Sequence, residues 1–241
     1  KDKIIMGAER RTAVMPAEEL RNTAYHESGH AVVASILKEW TDPVHKVTII
    51  PRGRALGVTM QLPEGDRYSM SVKRLHATLA VLFGGRIAED LFMHDVTTGA
   101  SNDFARATEL ARRMVTEWGM GDGLGVMVYA ESDGEIFLGR QIASQKAHSE
   151  ETMKKVDAAI RKIVDDDYAN ARSILENNRD KVEKMAKTLL EWETIDAGQI
   201  ADIMDGREPK PPKPVAPTIP QKIGRAPEEI SPAPNDIHSP R

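Results

Sequence analysis

Helical spacing of apolar positions dominates the chain between positions 16 and 206. Over 16–37 apolar residues recur every three or four positions, which predicts an amphipathic helix. Pro16 suits its first turn, and Glu18 and Glu19 stand where the helix dipole favours acids. The pattern stops before Thr41-Asp42-Pro43. The β-branched run over 46–51 then reads as a strand, Arg52-Gly53-Arg54 as a turn, and 55–62 as a second strand, giving a small ribbon. Helical periodicity returns over 71–91, 101–118, 146–176, 179–190 and 196–204. The stretch 119–137 is glycine-rich, with short strand candidates at 126–129 and 136–138. The prediction is a mainly α fold with a small β ribbon.

Composition changes this picture at one end. Ten of the 14 prolines follow Gly206, with few large apolar residues among them. Such a segment buries too little surface to offset its ordering entropy, so 207–241 is expected to be a disordered tail. Its Pro211-Pro212-Lys213-Pro214 run has the form of a polyproline ligand, although a solvated tail accounts for it as well. The chain holds 33 Lys and Arg against 37 Asp and Glu, a net charge of −4. That gives no basic excess pointing to nucleic acid. The absence of cysteine excludes disulfides, thiolate metal ligands and a cysteine nucleophile. No apolar run near the front is long enough to span a bilayer, and a start at Lys1-Asp2-Lys3 reads as a fragment or processed product.

The segment carrying chemistry is His26-Glu27-Ser28-Gly29-His30, an H-E-x-x-H motif inside the first helix. A four-residue interval stacks His26 and His30 on one face, where both imidazoles can grip one zinc ion. Glu27 lies roughly 100° around the helix. Its carboxylate is beside the metal without being a ligand, and can serve as base for a metal-activated water. A catalytic zinc site takes three protein ligands and keeps one position open. A metzincin pattern would need Gly at position 33 and His at position 36, where the chain has Val33 and Ile36. The strand following the helix offers no thermolysin-like acid. His45, His76, Glu89, His94 and Asp103 remain as candidates for the third ligand, and spacing alone does not choose among them.

Several blocks together resemble the peptidase domain of the ATP-dependent FtsH zinc proteases. They are His26-Glu27-Ser28-Gly29-His30, the run from Asp42 to Gly53, Leu56-Gly57, Leu62-Pro63-Glu64-Gly65-Asp66, Phe83-Gly84-Gly85-Arg86, Thr98-Gly99-Ala100-Ser101-Asn102-Asp103 and Phe137-Leu138-Gly139. Met6-Gly7-Ala8-Glu9-Arg10-Arg11 resembles that family's connection out of its ATPase domain, so 1–15 is expected to be a connection, 16–206 the zinc peptidase domain and 207–241 the tail.

The resemblance implies one Zn2+ per chain, with Asp103 completing a set of His26, His30 and Asp103. It implies that Glu89 supports the ligands from outside the coordination sphere. It further implies a homohexamer acting on polypeptide substrates, anchored through N-terminal membrane segments outside these residues. The location implied is a bacterial inner membrane with this domain in the cytoplasm, or an organellar membrane. ATP would act only through an ATPase domain absent from this chain, because no G-x-x-x-x-G-K-[ST] phosphate loop occurs in it.

An extended substrate could be held at an exposed strand edge, for which Gly57, Val58, Thr59 and Met60 are the candidates. Tyr25, Tyr68 and His45 are candidates to stabilise the oxyanion. A reading from another class treats the helices over 146–204, which carry no evident chemistry, as an assembly module.

Overall fold

The computed structural model describes residues 15–53, 55–63, 65–130 and 148–212. Six helices and a three-stranded sheet make up the described part. Helix α1 (Ala17–Ile36) is the centre of the packing and contacts mainly α2 (Val72–Ala88) and α5 (Arg179–Trp192). Helix α3 (Ser101–Thr116) and the long α4 (Glu150–Asn177) pack on α2, and α6 (Ala197–Met204) closes against α5 and the sheet. Ser149 caps α4 through Thr152 N, and Asp196 with Gln199 forms a capping box on α6.

The expected amphipathic first helix is corrected. From Thr23 to Ala34 every residue except His26 is buried, so α1 is enclosed on nearly all sides. Small residues make this possible. A Cβ built on Gly29 would lie 2.2 Å from Gly84 O, and one on Gly84 would lie 2.7 Å from Gly29 O. The two helices therefore cross backbone against backbone, with no side chain between them. Thr23 and Ser28 return their hydroxyls to carbonyls one turn earlier, so their burial leaves no unpaired donor.

Strand β1 (Val44–Thr48) runs between β2 (Val58–Gln61) and β3 (Thr194–Asp196), antiparallel to both. The ribbon of two strands is thus a sheet of three. The third comes from far along the chain, after Glu193 (φ 60°) ends α5 and turns the backbone back. The second strand is shorter than 55–62, because Ala55 pairs with Arg52 across the turn. Helical structure over 71–91 also changes character: α2 stops at Ala88, a π turn spans Glu89–Met93, and His94 ends it at φ 54°. Residues 126–129 form no strand; Tyr129 N bonds Thr116 O at the end of α3 instead, at 2.7 Å. The candidate strand over 136–138 lies outside the described residues.

Beyond α6 the chain keeps contact with the body for several residues. Arg207 pairs with Asp202 and Asp205 at 2.8 Å each, Pro209 is buried, and Gln199 Nε2 donates to Lys210 O at 2.8 Å. Residues 213–241 of the expected tail lie outside the described residues. Among the described residues no helix is long and apolar enough to cross a membrane.

Candidate metal centre

The buried turn of α1 places His26 and His30 one above the other, facing the start of α3. Their Nε2 atoms are 3.0 Å apart. Asp103, in the first turn of α3, brings Oδ2 to 3.5 Å from His26 Nε2 and 3.4 Å from His30 Nε2. Four ligands at about 2.0–2.1 Å around a tetrahedral zinc stand about 3.3–3.4 Å apart, so the three atoms have the spacing of one face of such a site. Among the described residues this is the only group of three or more potential ligands so gathered. A Cβ on Gly85 would fall 2.5–2.6 Å from both imidazoles, so this glycine leaves the rings their room.

Hydrogen bonds behind the rings decide which nitrogen faces the group. His30 Nδ1 lies 2.7 Å from Val81 O. A carbonyl only accepts, so Nδ1 carries the proton and Nε2 offers its lone pair. His26 Nδ1 lies 2.7 Å from Glu89 Oε1 in the same sense. Burial works against charge on His26, but hydrogen bonds with Asp103 and Glu89 and the fields of Glu27 and Glu89 outweigh it, pushing its pKa up to about 10. Burial likewise opposes ionisation of Asp103, yet the two histidines hold its carboxyl well below the usual carboxylate range. The surroundings favour a positive charge among these three side chains, and a divalent cation fits the donor set.

Glu89 connects two parts of the site. It is the first residue of the π turn and only 1% exposed. Burial raises its pKa, but His26 and the Thr97 backbone N–H outweigh this, and the net shift is downward. While Oε1 holds His26, Oε2 accepts from Thr97 N at 2.9 Å and from Thr97 Oγ1 at 3.3 Å. Thr97 Oγ1 in turn accepts from Gly99 N at 3.2 Å, capping the short 3-10 turn Thr98–Ala100 that leads into α3. Arg86 donates to Thr97 O at 3.2 Å and lies over the Phe104 ring. The segment carrying Asp103 is thereby tied to the helix pair at both Thr97 and Phe104.

Glu27 lies against the sheet, and its charge also acts on His26. Its Oε2 accepts from Thr59 Oγ1 at 2.7 Å, and Gly57 packs directly on its carboxylate. The other candidates are placed elsewhere. His76 pairs with Asp167 at 2.8 Å, His94 is exposed at the end of the π turn, and His45 is on β1. Tyr25 stacks on Phe92 at 5.2 Å, and Tyr68 is 99% exposed. Sequence reasoning did not anticipate Thr97, Val81 O or the Thr59–Glu27 bond. Thr97 immediately precedes a recognised block, but nothing in the residue string shows which acid its N–H meets.

The profile of Peptidase family M41 matches residues 13–203. The chain belongs to this family. It is 58% identical over 211 residues to the ATP-dependent zinc metalloprotease FtsH of Cupriavidus metallidurans, covering 88% of this chain and 32% of that protein. It is 53% identical over 211 residues to the ATP-dependent zinc metalloprotease FtsH of Acidobacterium capsulatum, covering 88% of this chain and 33% of that protein. The protein of the same name from Haemophilus influenzae is 52% identical, with 87% of this chain and 33% of that protein covered. The chain thus spans about a third of the length of these curated relatives. Their names accord with a zinc-fitting donor set in a member of peptidase family M41.

Proposed function

We propose that this chain is the zinc-dependent endopeptidase portion of an ATP-dependent, membrane-anchored protease that degrades unfolded or misassembled membrane and soluble proteins. The observation that carries this is the convergence of His26 Nε2, His30 Nε2 and Asp103 Oδ2 at 3.0–3.5 Å, with Glu27 on the same helix. His26, His30 and Asp103 would hold one zinc ion per chain, and Glu89 would orient His26 from behind. When bound, zinc supplies Lewis acidity that lowers the pKa of water and polarises a peptide carbonyl.

The remaining chemistry belongs to the chain. Glu27 accepts a proton from the attacking water as its oxygen bonds to the carbonyl carbon. It returns that proton to the amine nitrogen as the C–N bond breaks. The substrate must be extended to present its carbonyl. Among the described residues β2 is an edge strand, hydrogen-bonded to β1 on one side only, and its other edge can pair with such a segment with little demand on side chains. In this role Gly57, Val58, Thr59 and Met60 contribute main chain; the Met60 side chain is buried and that of Thr59 is engaged with Glu27.

The relatives' names support the ATP requirement, which would be met by an ATPase portion outside these residues. A homohexamer in a bacterial inner membrane, with this portion in the cytoplasm, completes the reading; an organellar membrane is the alternative location. The test is zinc content and casein cleavage measured together. The wild-type chain should keep one zinc through dialysis, and Glu27→Gln should keep it too while cleavage falls by a factor of roughly a hundred or more. Cleavage at the wild-type rate in Glu27→Gln would remove Glu27 from the mechanism.

A further inference from the structure

The Glu27 carboxylate is buried, and its two oxygens have different surroundings. Oε2 accepts the Thr59 hydroxyl at 2.7 Å, whereas no hydrogen-bond partner of Oε1 is found among the described residues. The side of the carboxylate carrying Oε1 lies over Gly57, where an added Cβ would come within 2.7 Å of Oε1 and Cγ and 2.9 Å of Thr23 Cγ2. Gly57 and Thr59 are two residues apart, so their substituents project to the same face of the extended chain. That face meets α1 at Glu27. Thr59 is held in turn by its pairing with Val47 in the middle strand.

We infer that β2 and the glycine preceding it position the base: Thr59 fixes Oε2 of Glu27, Gly57 leaves the space the carboxylate occupies, and Oε1 is the oxygen that exchanges the proton. This rests on the zinc-peptidase reading above and deepens it. An anionic carboxylate on a helix buried beside a sheet has several rotamers open to it. A charge-assisted hydrogen bond selects one and leaves the second oxygen unencumbered. The strand offered as the substrate's docking edge also aims the base, so a peptide paired with β2 is placed relative to Glu27 by one rigid element. The proton leaves the attacking water for Oε1 and passes to the departing amine, while Oε2 keeps the same donor throughout.

Three variants test this in the zinc-loaded chain, with an unstructured fluorogenic peptide as substrate. Thr59→Val removes the hydroxyl at nearly constant volume. Its kcat should fall roughly tenfold or more, the change expected from losing a hydrogen bond to a charged group, with KM within about twofold and one zinc retained. Thr59→Ser restores the hydroxyl and should recover kcat to within about threefold. Gly57→Ala should push the carboxylate aside and lower kcat, again without loss of zinc.

A readout independent of turnover uses the metal-free protein. Thr59→Val should lower Tm when Glu27 is present and have much less effect in a Glu27→Ala background. Wild-type kcat in Thr59→Val, a Thr59→Ser variant no better than Thr59→Val, or additive Tm shifts would overturn the positioning role. A wild-type chain that binds no zinc and cleaves nothing would instead overturn the peptidase reading, and this inference with it.

Discussion

Two segments meet at the candidate zinc site, and different forces hold them. The His26–His30 turn belongs to a helix enclosed on nearly all sides, pressed backbone to backbone on α2 at Gly29 and Gly84. Its donors are spaced by helix geometry, and their room is set by Gly85. The Thr97–Asp103 segment has little burial of its own, since residues 94–99 are all exposed. It is placed by directed polar contacts: Glu89 on Thr97 N, Arg86 on Thr97 O, and Thr97 Oγ1 on Gly99 N. One side of the site is fixed by packing that cannot shift without moving two helices. The other is fixed by a few hydrogen bonds that converge on one residue. A site built this way has a rigid pair of candidate ligands and a third held by contacts that can be altered singly.

The most severe disruption is expected on the packed side. Gly29→Ala sets a methyl against Gly84 O and should destabilise the protein by about 3 kcal/mol, near the upper end for overpacking a core. Urea unfolding of the metal-free variant measures it, and a loss under about 1 kcal/mol would show that the helices can separate easily. On the tethered side the expected effect falls on metal affinity rather than stability. Asp103→Asn should lose most of the zinc affinity, leaving two strong donors. Glu89→Gln should weaken binding by roughly 10–100-fold, as removal of an outer partner typically does. Zinc titration of both variants in parallel separates them, and abolished binding in Glu89→Gln with near-normal binding in Asp103→Asn would reverse the assignment.

The smallest expected effect concerns the platform under both segments. His76 joins α2 to α4 through Asp167, and Asp167 faces both His76 and the neighbouring charge of Asp166. Burial pushes the Asp167 carboxyl up to about 6, with His76 opposing the shift and Asp166 adding to it. An unfolded aspartate ionises near about 3.9. The native state therefore keeps a proton that the unfolded chain has released. Its contribution to stability is fully present below about pH 4 and is lost as pH rises through about 6. Asp167→Asn should remove roughly 1–2 kcal/mol of that decline between pH 4 and 7. Unfolding midpoints at the two pH values give the difference, and parallel pH curves for wild type and variant would contradict it.

What could be read from the residues follows the same division. His26, Glu27 and His30 were legible because a helix turns spacing into geometry, and the positions of all six helices followed from apolar periodicity. Asp103 was not singled out by spacing, because its approach depends on a turn held by Glu89, a contact no period encodes. β3 has three residues, too few to establish an alternation, and exists because Glu193 reverses the chain onto β1. The π turn escaped because Leu91 and Phe92 also fit a continuing α-helical pattern. The enclosure of α1 does not show in the residues, because Thr23, Ser28 and Glu27 are polar letters whose partners, two backbone carbonyls and Thr59, appear only in three dimensions.

The π turn over Glu89–Met93 has a consequence for how the chain tolerates changes of length. A single residue added to an α-helix rotates everything beyond it by about 100°. The wider turn absorbs one such residue, and with that rotation Leu91 is buried and Phe92 lies on Tyr25. Removing one residue here would return the segment to α pitch and swing both side chains off α1, just after the point where Glu89 grips His26. The chain is therefore counted to the residue through this turn, and natural insertions and deletions should be rare there.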